Sequence, residues 1–446
     1  MINVIVSTII WGLAIALFAS ILVTGGLPLG KKAEKKLAFL DKSILYRKEQ
    51  YHPEQKDYIG VFWFSIAIRI GMLLFAVVAI CLFMDQQTLK WNDFWNRFVI
   101  WDANSYINIA KGGYTQYLEN NEPITLVFFP LYSVLIRGFH LINANADYRV
   151  IAVFVSMVCY AIGNCFFYGF TAKQFGKNVA KTAVFLLMIS PFGFFFGTIM
   201  SESVFFMMIA ICLYLLQQRK WWLFGVAGIL CALARMQGVL IIIPACICWF
   251  ESCRPIEKLR KKEWKAFWKD CYTKGIALFL PILGTLSYLL INKKVAGDAF
   301  AFTGYQRKYW YHGYMYIGKA VKNHLSHCFT NGISMTTFSM FIPQMLFFIL
   351  AIVLCYYAFN KMDNMLVCYL LAFTVVSYSL DWLISGSRYM LTALPMWIIL
   401  ALICEKHEWI KKVIYVLSPA LMGIYYVGYL IMKQIMKTCK IVLKML

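Results

Sequence analysis

The chain predicts an all-α polytopic membrane protein, a helical bundle of about twelve spans whose external loops carry short interfacial helices. Of its 446 residues, 61% are hydrophobic and 17% aromatic, and the mean hydropathy is +0.66, more apolar surface than a soluble core of this size encloses. The apolar runs are continuous over about fifteen to twenty residues, the length of a helix crossing a bilayer. They lack strand-like alternation, and in lipid only helices or closed barrels satisfy their own backbone hydrogen bonds.

The first run, residues 2–23, has neither a basic leader nor a small-residue cleavage site, so it is expected to be retained as a span. Lys31, Lys32, Lys35, Lys36, Lys42, Arg47, Lys48 and Lys56 follow, a cluster that the positive-inside rule puts in the cytoplasm, with the N-terminus outside. Residues 59–84 return outward, with Arg69 near enough to the inner end to snorkel. The external region 85–148 mixes Asp85, Asp93, Asp102, Glu119 and Glu122 with aromatics, a composition suited to short helices lying in the interface.

Spans are expected near 149–170, 180–200, 201–216, 222–234 and 237–250. The last three are short for a bilayer of roughly 30 Å. Their ends, at Glu202 and Arg235, suit segments that line a cavity. Arg254, Lys258, Arg260, Lys261, Lys262, Lys265 and Lys269 make a second cytoplasmic loop, in agreement with the first cluster. A span near 276–291, a second external region at 292–337, and spans near 338–359, 365–383, 389–404 and 413–432 complete the chain. No internal repeat is visible. The division is an N-terminal span with its basic segment (1–58), a membrane catalytic domain (59–404), and a C-terminal span and tail (405–446).

The net charge of +22 concentrates in the connecting segments, where membrane topology and anionic lipid explain it, so nucleic acid is not an expected partner. The 14 cysteines fall mostly inside apolar runs without paired spacing, which indicates neither disulfides nor a zinc site. His52, His140, His312, His324, His327 and His407 are scattered and do not form a metal set. No phosphate loop, dinucleotide fingerprint or nucleophile elbow appears.

Polar residues near helix ends then carry the chemistry: Asp102, Glu202, Arg235, Gln306, Arg307, Asp381 and Arg388. A charge at mid-bilayer costs about 3 kcal/mol on insertion scales, so each needs a use or a partner. Asp102 opens a helical pattern with Tyr106, Ile109 and Gly113 on one face, where it is either a base or a helix cap. Glu202 starts a helix, which suits a carboxylate with or without a catalytic task. Arg235 and Arg388 suit bidentate grip of a phosphate; the competing role is an ion pair, Arg388 with Asp381 or Arg235 with Glu202.

The strings WDANSYINIAKGGY (101–114), FFPLY (128–132), PFGFFF through SES (191–203), ARMQG (234–238), GDAFAF with Gln306 and Trp310, and SRY through Leu394 and Pro395 resemble the phosphatidylinositol-glycan class V mannosyltransferases and their bacterial relatives. The resemblance covers roughly residues 59–404 in the same order and departs at Ser105, where the relatives usually carry a second aromatic. It implies a GT-C type fold and inverting transfer of a hexose, mannose in the eukaryotic members, from a polyprenyl-phosphate donor to a lipid- or glycan-linked acceptor at the outer or luminal face. Asp102 is then the expected base. Glu202 stabilises developing positive charge or positions the acceptor, and Arg388, Arg235 and Arg307 hold the donor phosphate. Trp101, Tyr106, Gln306 and Tyr389 are the expected positioning residues.

No soluble cofactor is required, although magnesium or manganese bridging Asp102 and Glu202 to the phosphate stays open. The expected location is a bacterial plasma membrane with the site facing outside. A lipid-linked sugar flippase is the competing reading.

Overall fold

Among the described residues seven helices are long and apolar enough to cross a membrane: Ile2–Thr24, Gln55–Phe83, Tyr148–Phe175, Met236–Cys253, Trp264–Ala296, Thr337–Ala358 and Glu408–Met432. Four shorter apolar helices, Pro130–Ile142, Glu202–Gln217, Trp221–Ala234 and Asn364–Tyr378, pack among them. This computed structural model describes residues 2–28, 38–42, 51–83, 89–330, 334 and 336–445. Lys31, Lys32, Lys35, Lys36, Arg47, Lys48 and Asp85 lie outside the described residues. Among the described residues there is no strand beyond isolated bridges, and the protein is an all-α integral membrane protein.

Every expected span corresponds to a helix or a broken helix, and the breaks have chemical causes. The run expected at 180–200 stops at Met188, because Pro191 has no N–H to continue it, and resumes as a 3-10 turn at Gly193–Gly197. Arg69 serves that break. It does not snorkel: it is 1% exposed, and its Nη1 donates to the Gly193 carbonyl at 2.7 Å while its guanidinium lies over the Tyr160 ring at 4.3 Å. Carbonyls freed at a helix end inside a bundle need a donor, and that need holds the charge in place. The stretch expected at 389–404 divides into Gly386–Met390 and Leu394–Lys406, the second opened by Pro395. The basic loop after Arg254 is itself helical, at Pro255–Arg260 and Trp264–Asp270, and the latter continues through one π turn into the next span.

Tyr148–Phe175 is the central helix, with Gln55–Phe83 and Glu202–Gln217 packed against it. At one end of the bundle the Lys42 ammonium reaches the Met362 carbonyl at 3.0 Å, and Gly26 lies against Glu257 and Arg254. The described parts of the two basic clusters therefore share that end. At the other end Gly318 lies against Asn3 and Ser7, near the start of Ile2–Thr24, and Trp11 donates to the Tyr316 hydroxyl at 3.2 Å.

The two regions expected to be external gather at this second end. One contributes Trp91–Arg97, Ala103–Gly112 and Ile124–Val127; the other contributes Ala301–Trp310 and Ile317–Thr330. Glu122 ties them together, accepting from the Tyr309 hydroxyl at 2.5 Å and the Lys308 ammonium at 2.9 Å. Those two donors hold its carboxyl below the usual range, the Tyr309 hydroxyl foremost.

Candidate active site

Asp102 stands at the entrance of Ala103–Gly112, and its side chain makes no cap hydrogen bond. The carboxylate instead accepts from Arg388 Nη2 at 3.1 Å. Trp101, just before it, has a φ of 49°, a left-handed conformation costly for an aromatic residue, of the kind that clusters at functional sites. One turn into the helix, Tyr106 packs against Phe128 and Tyr132, each ring 5.2 Å away, and donates to the Ser201 hydroxyl at 2.9 Å. Ser133 donates to the Tyr106 carbonyl at 2.9 Å, which ties Pro130–Ile142 to the same helix. The WDANSY and FFPLY strings thus meet as one packed corner.

Glu202 begins Glu202–Gln217, and the Ser203 hydroxyl fixes the preceding turn by donating to the Phe196 carbonyl at 2.8 Å. Its side chain is 1% exposed. Oε1 lies 2.6 Å from Arg235 Nη1 and 3.2 Å from Arg388 Nε, while Oε2 has no partner among the described residues. Arg235 follows Trp221–Ala234 in an extended conformation that turns its side chain back into the bundle. Arg235 and Arg388 flank the ring of Tyr389 at 5.0 and 5.8 Å.

The result is a linear chain of charge, Asp102–Arg388–Glu202–Arg235, two carboxylates balanced by two guanidiniums. The ion pair of Arg235 with Glu202 is present. Arg388 pairs with Asp102 and Glu202, whereas Asp381 spends its Oδ1 on the backbone N–H groups of Gly313 at 2.6 Å and Trp382 at 2.8 Å. Desolvating a charge is costly unless it is paired, so each member keeps the others in place.

A cavity of about 1090 Å³ opens on this chain. Its polar end is walled by Asp102, Arg235, Arg388, Gln306, His312 and Tyr389. Its other end is apolar, lined by Phe192, Phe338, Leu421, Ile424, Tyr425 and Met432. Leu421 and Ile424 are 42% and 67% exposed on the outer face of the bundle, so the cavity reaches the lipid-facing surface beside Glu408–Met432. The Tyr425 hydroxyl crosses that opening to the Phe338 carbonyl at 3.1 Å.

Of the residues singled out in the sequence, Trp101, Asp102, Tyr106, Gln306, Arg235, Arg388 and Tyr389 line the cavity. Glu202 sits behind the two arginines, off the wall. Arg307 is exposed and points away from the cavity that its neighbour Gln306 lines. His312, Tyr309, Trp382 and the aromatic stripe Tyr425–Tyr429 were missed; none belongs to a charged cluster, and the stripe lies in an otherwise unremarked span.

A divalent ion bridging Asp102 and Glu202 does not fit these residues, because the Arg388 guanidinium already lies between the two carboxylates. Among the described residues no three His, Cys, Asp or Glu side chains come together as a ligand set.

No family profile and no curated protein matches the chain. Among solved structures it is similar to ArnT from Cupriavidus metallidurans bound to undecaprenyl phosphate (11% identity, TM-score 0.44, 74% of this chain and 60% of that one). It is also similar to the Archaeoglobus fulgidus oligosaccharyltransferase in complex with Zn and sulfate (13%, 0.43, 81% and 53%). A third is AglB from the same organism with an inhibitory peptide and a dolichol-phosphate (12%, 0.41, 83% and 56%). The chain thus spans little more than half the length of these proteins. At such identities and TM-scores the functional reading rests on the site's own geometry.

Proposed function

We propose that the protein is an inverting glycosyltransferase that moves a hexose from a polyprenyl-phosphate donor to a lipid- or glycan-linked acceptor. The observation that carries this reading is a single cavity with a carboxylate and two arginines at one end and an apolar exit toward lipid at the other. An anionic headgroup on a long hydrocarbon matches both ends at once.

Asp102 removes the proton from the acceptor hydroxyl as its oxygen attacks the anomeric carbon. The bond from that carbon to the phosphate oxygen breaks, and the electron pair leaves on polyprenyl phosphate. Arg388 and Arg235 stabilise the departing charge. Arg388 has a further nitrogen, Nη1, whose one contact among the described residues is the weak acceptor Met200 Sδ at 3.5 Å, so it is available to phosphate while Nη2 holds Asp102. Glu202 keeps both guanidiniums aimed at the cavity. The resemblance to class V mannosyltransferases makes mannose the first donor to try.

The cavity lies at the end of the bundle opposite the described basic segments, which supports an extracytoplasmic site, in a bacterial plasma membrane on our reading. The test is purified protein in vesicles given polyprenyl-phosphate hexoses and a panel of lipid and glycan acceptors, read by mass spectrometry. A glycosylated acceptor and free polyprenyl phosphate should appear in equal amounts. Movement of intact donor between leaflets without a new glycosidic bond would replace the transferase with a flippase.

A further inference from the structure

The cavity wall holds a titratable side chain that the transfer scheme leaves without a task. His312 is half-buried on that wall, and its imidazole makes no hydrogen bond to a described residue. The chain fixes its position with some care. Tyr311 ends Ala301–Trp310 at a φ of 55°, and the His312 N–H donates back to the Gln306 carbonyl at 3.1 Å. The next residues pair with 379–381: the Asp381 N–H donates to the Gly313 carbonyl at 2.9 Å, and the Met315 N–H to the Ser379 carbonyl at 2.8 Å. A Cβ on Gly313 would stand 2.6 Å from Asp381 Oδ2, so a larger residue there must displace that carboxylate. A strained residue, a glycine and a backbone clamp together present one imidazole to the cavity.

The charged groups acting on that imidazole are Asp381 from the clamp, Asp102 from the start of Ala103–Gly112, and Arg388 from Gly386–Met390. On the preceding helix Lys308 is committed to Glu122 and Arg307 is exposed; the remaining titratable groups of the wall are Arg235, paired with Glu202, and Tyr106, Tyr309, Tyr311, Tyr314, Tyr389, Tyr425 and Tyr429. Asp381 turns its Oδ1 to the backbone N–H groups of Gly313 and Trp382 and does not line the cavity, so Asp102 is the carboxylate that shares the cavity wall with His312.

We propose that His312 is the proton outlet of the site: it takes the acceptor's proton from Asp102, directly or through one water, and releases it at the cavity mouth. This rests on the transferase reading above. When donor and acceptor fill the cavity, Asp102 is screened from bulk water and is left as a carboxylic acid after transfer. The proton moves from that acid to an imidazole nitrogen, leaving carboxylate and imidazolium, and then to water, which restores both groups. Burial lowers the proton affinity of His312, Asp381 and Asp102 oppose that, and Arg388 adds to it, so the ring is neutral and receptive at neutral pH. As pH falls through the lowered value the ring is already protonated, and turnover falls with it.

The test is kcat and KM against pH over about pH 5 to 8 for wild type, His312→Gln, and His312→Ala with and without added imidazole. His312→Gln should lower kcat about 10- to 100-fold with donor KM within about twofold, the acid limb of the kcat profile should disappear, and imidazole should restore part of the His312→Ala rate. Retained donor KM also reports an intact fold. A kcat unchanged within twofold, or a fall with the acid limb kept and no rescue, would overturn the relay while wild-type turnover leaves the transferase standing. A wild type that forms no product from any donor overturns the transferase and the relay with it.

Discussion

Glu202 shows how one buried side chain sets the behaviour of two others. Its carboxylate is the shared counter-ion of Arg235 and Arg388, and neither guanidinium has water enough to stand alone. Glu202→Ala should therefore destabilise the protein by about 3–5 kcal/mol, the cost of leaving buried charge without its partner. Glu202→Gln keeps shape and one acceptor oxygen, so thermal unfolding in detergent should place it between wild type and Glu202→Ala. Equal stability of all three would remove Glu202 from this role. Asp102 and Arg388 were legible in the sequence because a charge beside an apolar run needs a reason. Which charge met which was not: the partner read for Arg388 was Asp381, but the clamp on Gly313 holds Asp381, and Arg388 pairs with Asp102 and Glu202. Arg307 lies off the cavity wall that Gln306 lines, since one residue's step around a short helix separates the cavity from open solvent.

At the scale of elements, the site depends on how closely Met236–Ile241 folds back on Trp221–Ala234, because Arg235 is the hinge between them. Gly238 sits at the closest approach, where a Cβ would collide with the backbone of Cys231 and Ala232. Gly238→Ala should cost about 1–3 kcal/mol of stability, as overpacking does. Because it displaces Arg235, it should also raise donor KM more than acceptor KM. Unchanged donor KM would mean that the approach does not aim Arg235. The helices themselves were legible from continuous apolar runs, and their boundaries agree within a few residues for most spans. The misreadings occur where backbone chemistry interrupts hydropathy: Pro191 ends a run that stays apolar beyond it, and Arg69, an interruption by charge, proves to be the donor that repairs the break. The helical course of 255–270 was hidden by its own lysines, which signal topology and not loop structure.

At the scale of the whole molecule, the described basic segments and the cavity lie at opposite ends of the bundle. With Cys81, the one exposed cysteine among the described residues, changed to Ser, a membrane-impermeant maleimide applied to intact cells should label Lys319→Cys and spare Lys269→Cys. The reverse pattern would turn the cavity toward the cytoplasm. The all-α class was legible from composition and from the continuous apolar runs. The lipid-facing exit was not, because it is assembled from Phe192, Phe338 and Leu421, three residues remote in sequence and each ordinary for its own segment.

Asp102 as the base is the centre of this account, and the most direct test is single-turnover transfer by Asp102→Asn beside a measurement of donor affinity on the same preparation. The exchange keeps the side chain's shape and removes its basicity, so the rate should fall by about 100- to 10,000-fold while donor affinity changes by no more than a few-fold. Transfer at the wild-type rate by a variant that binds donor normally would contradict it.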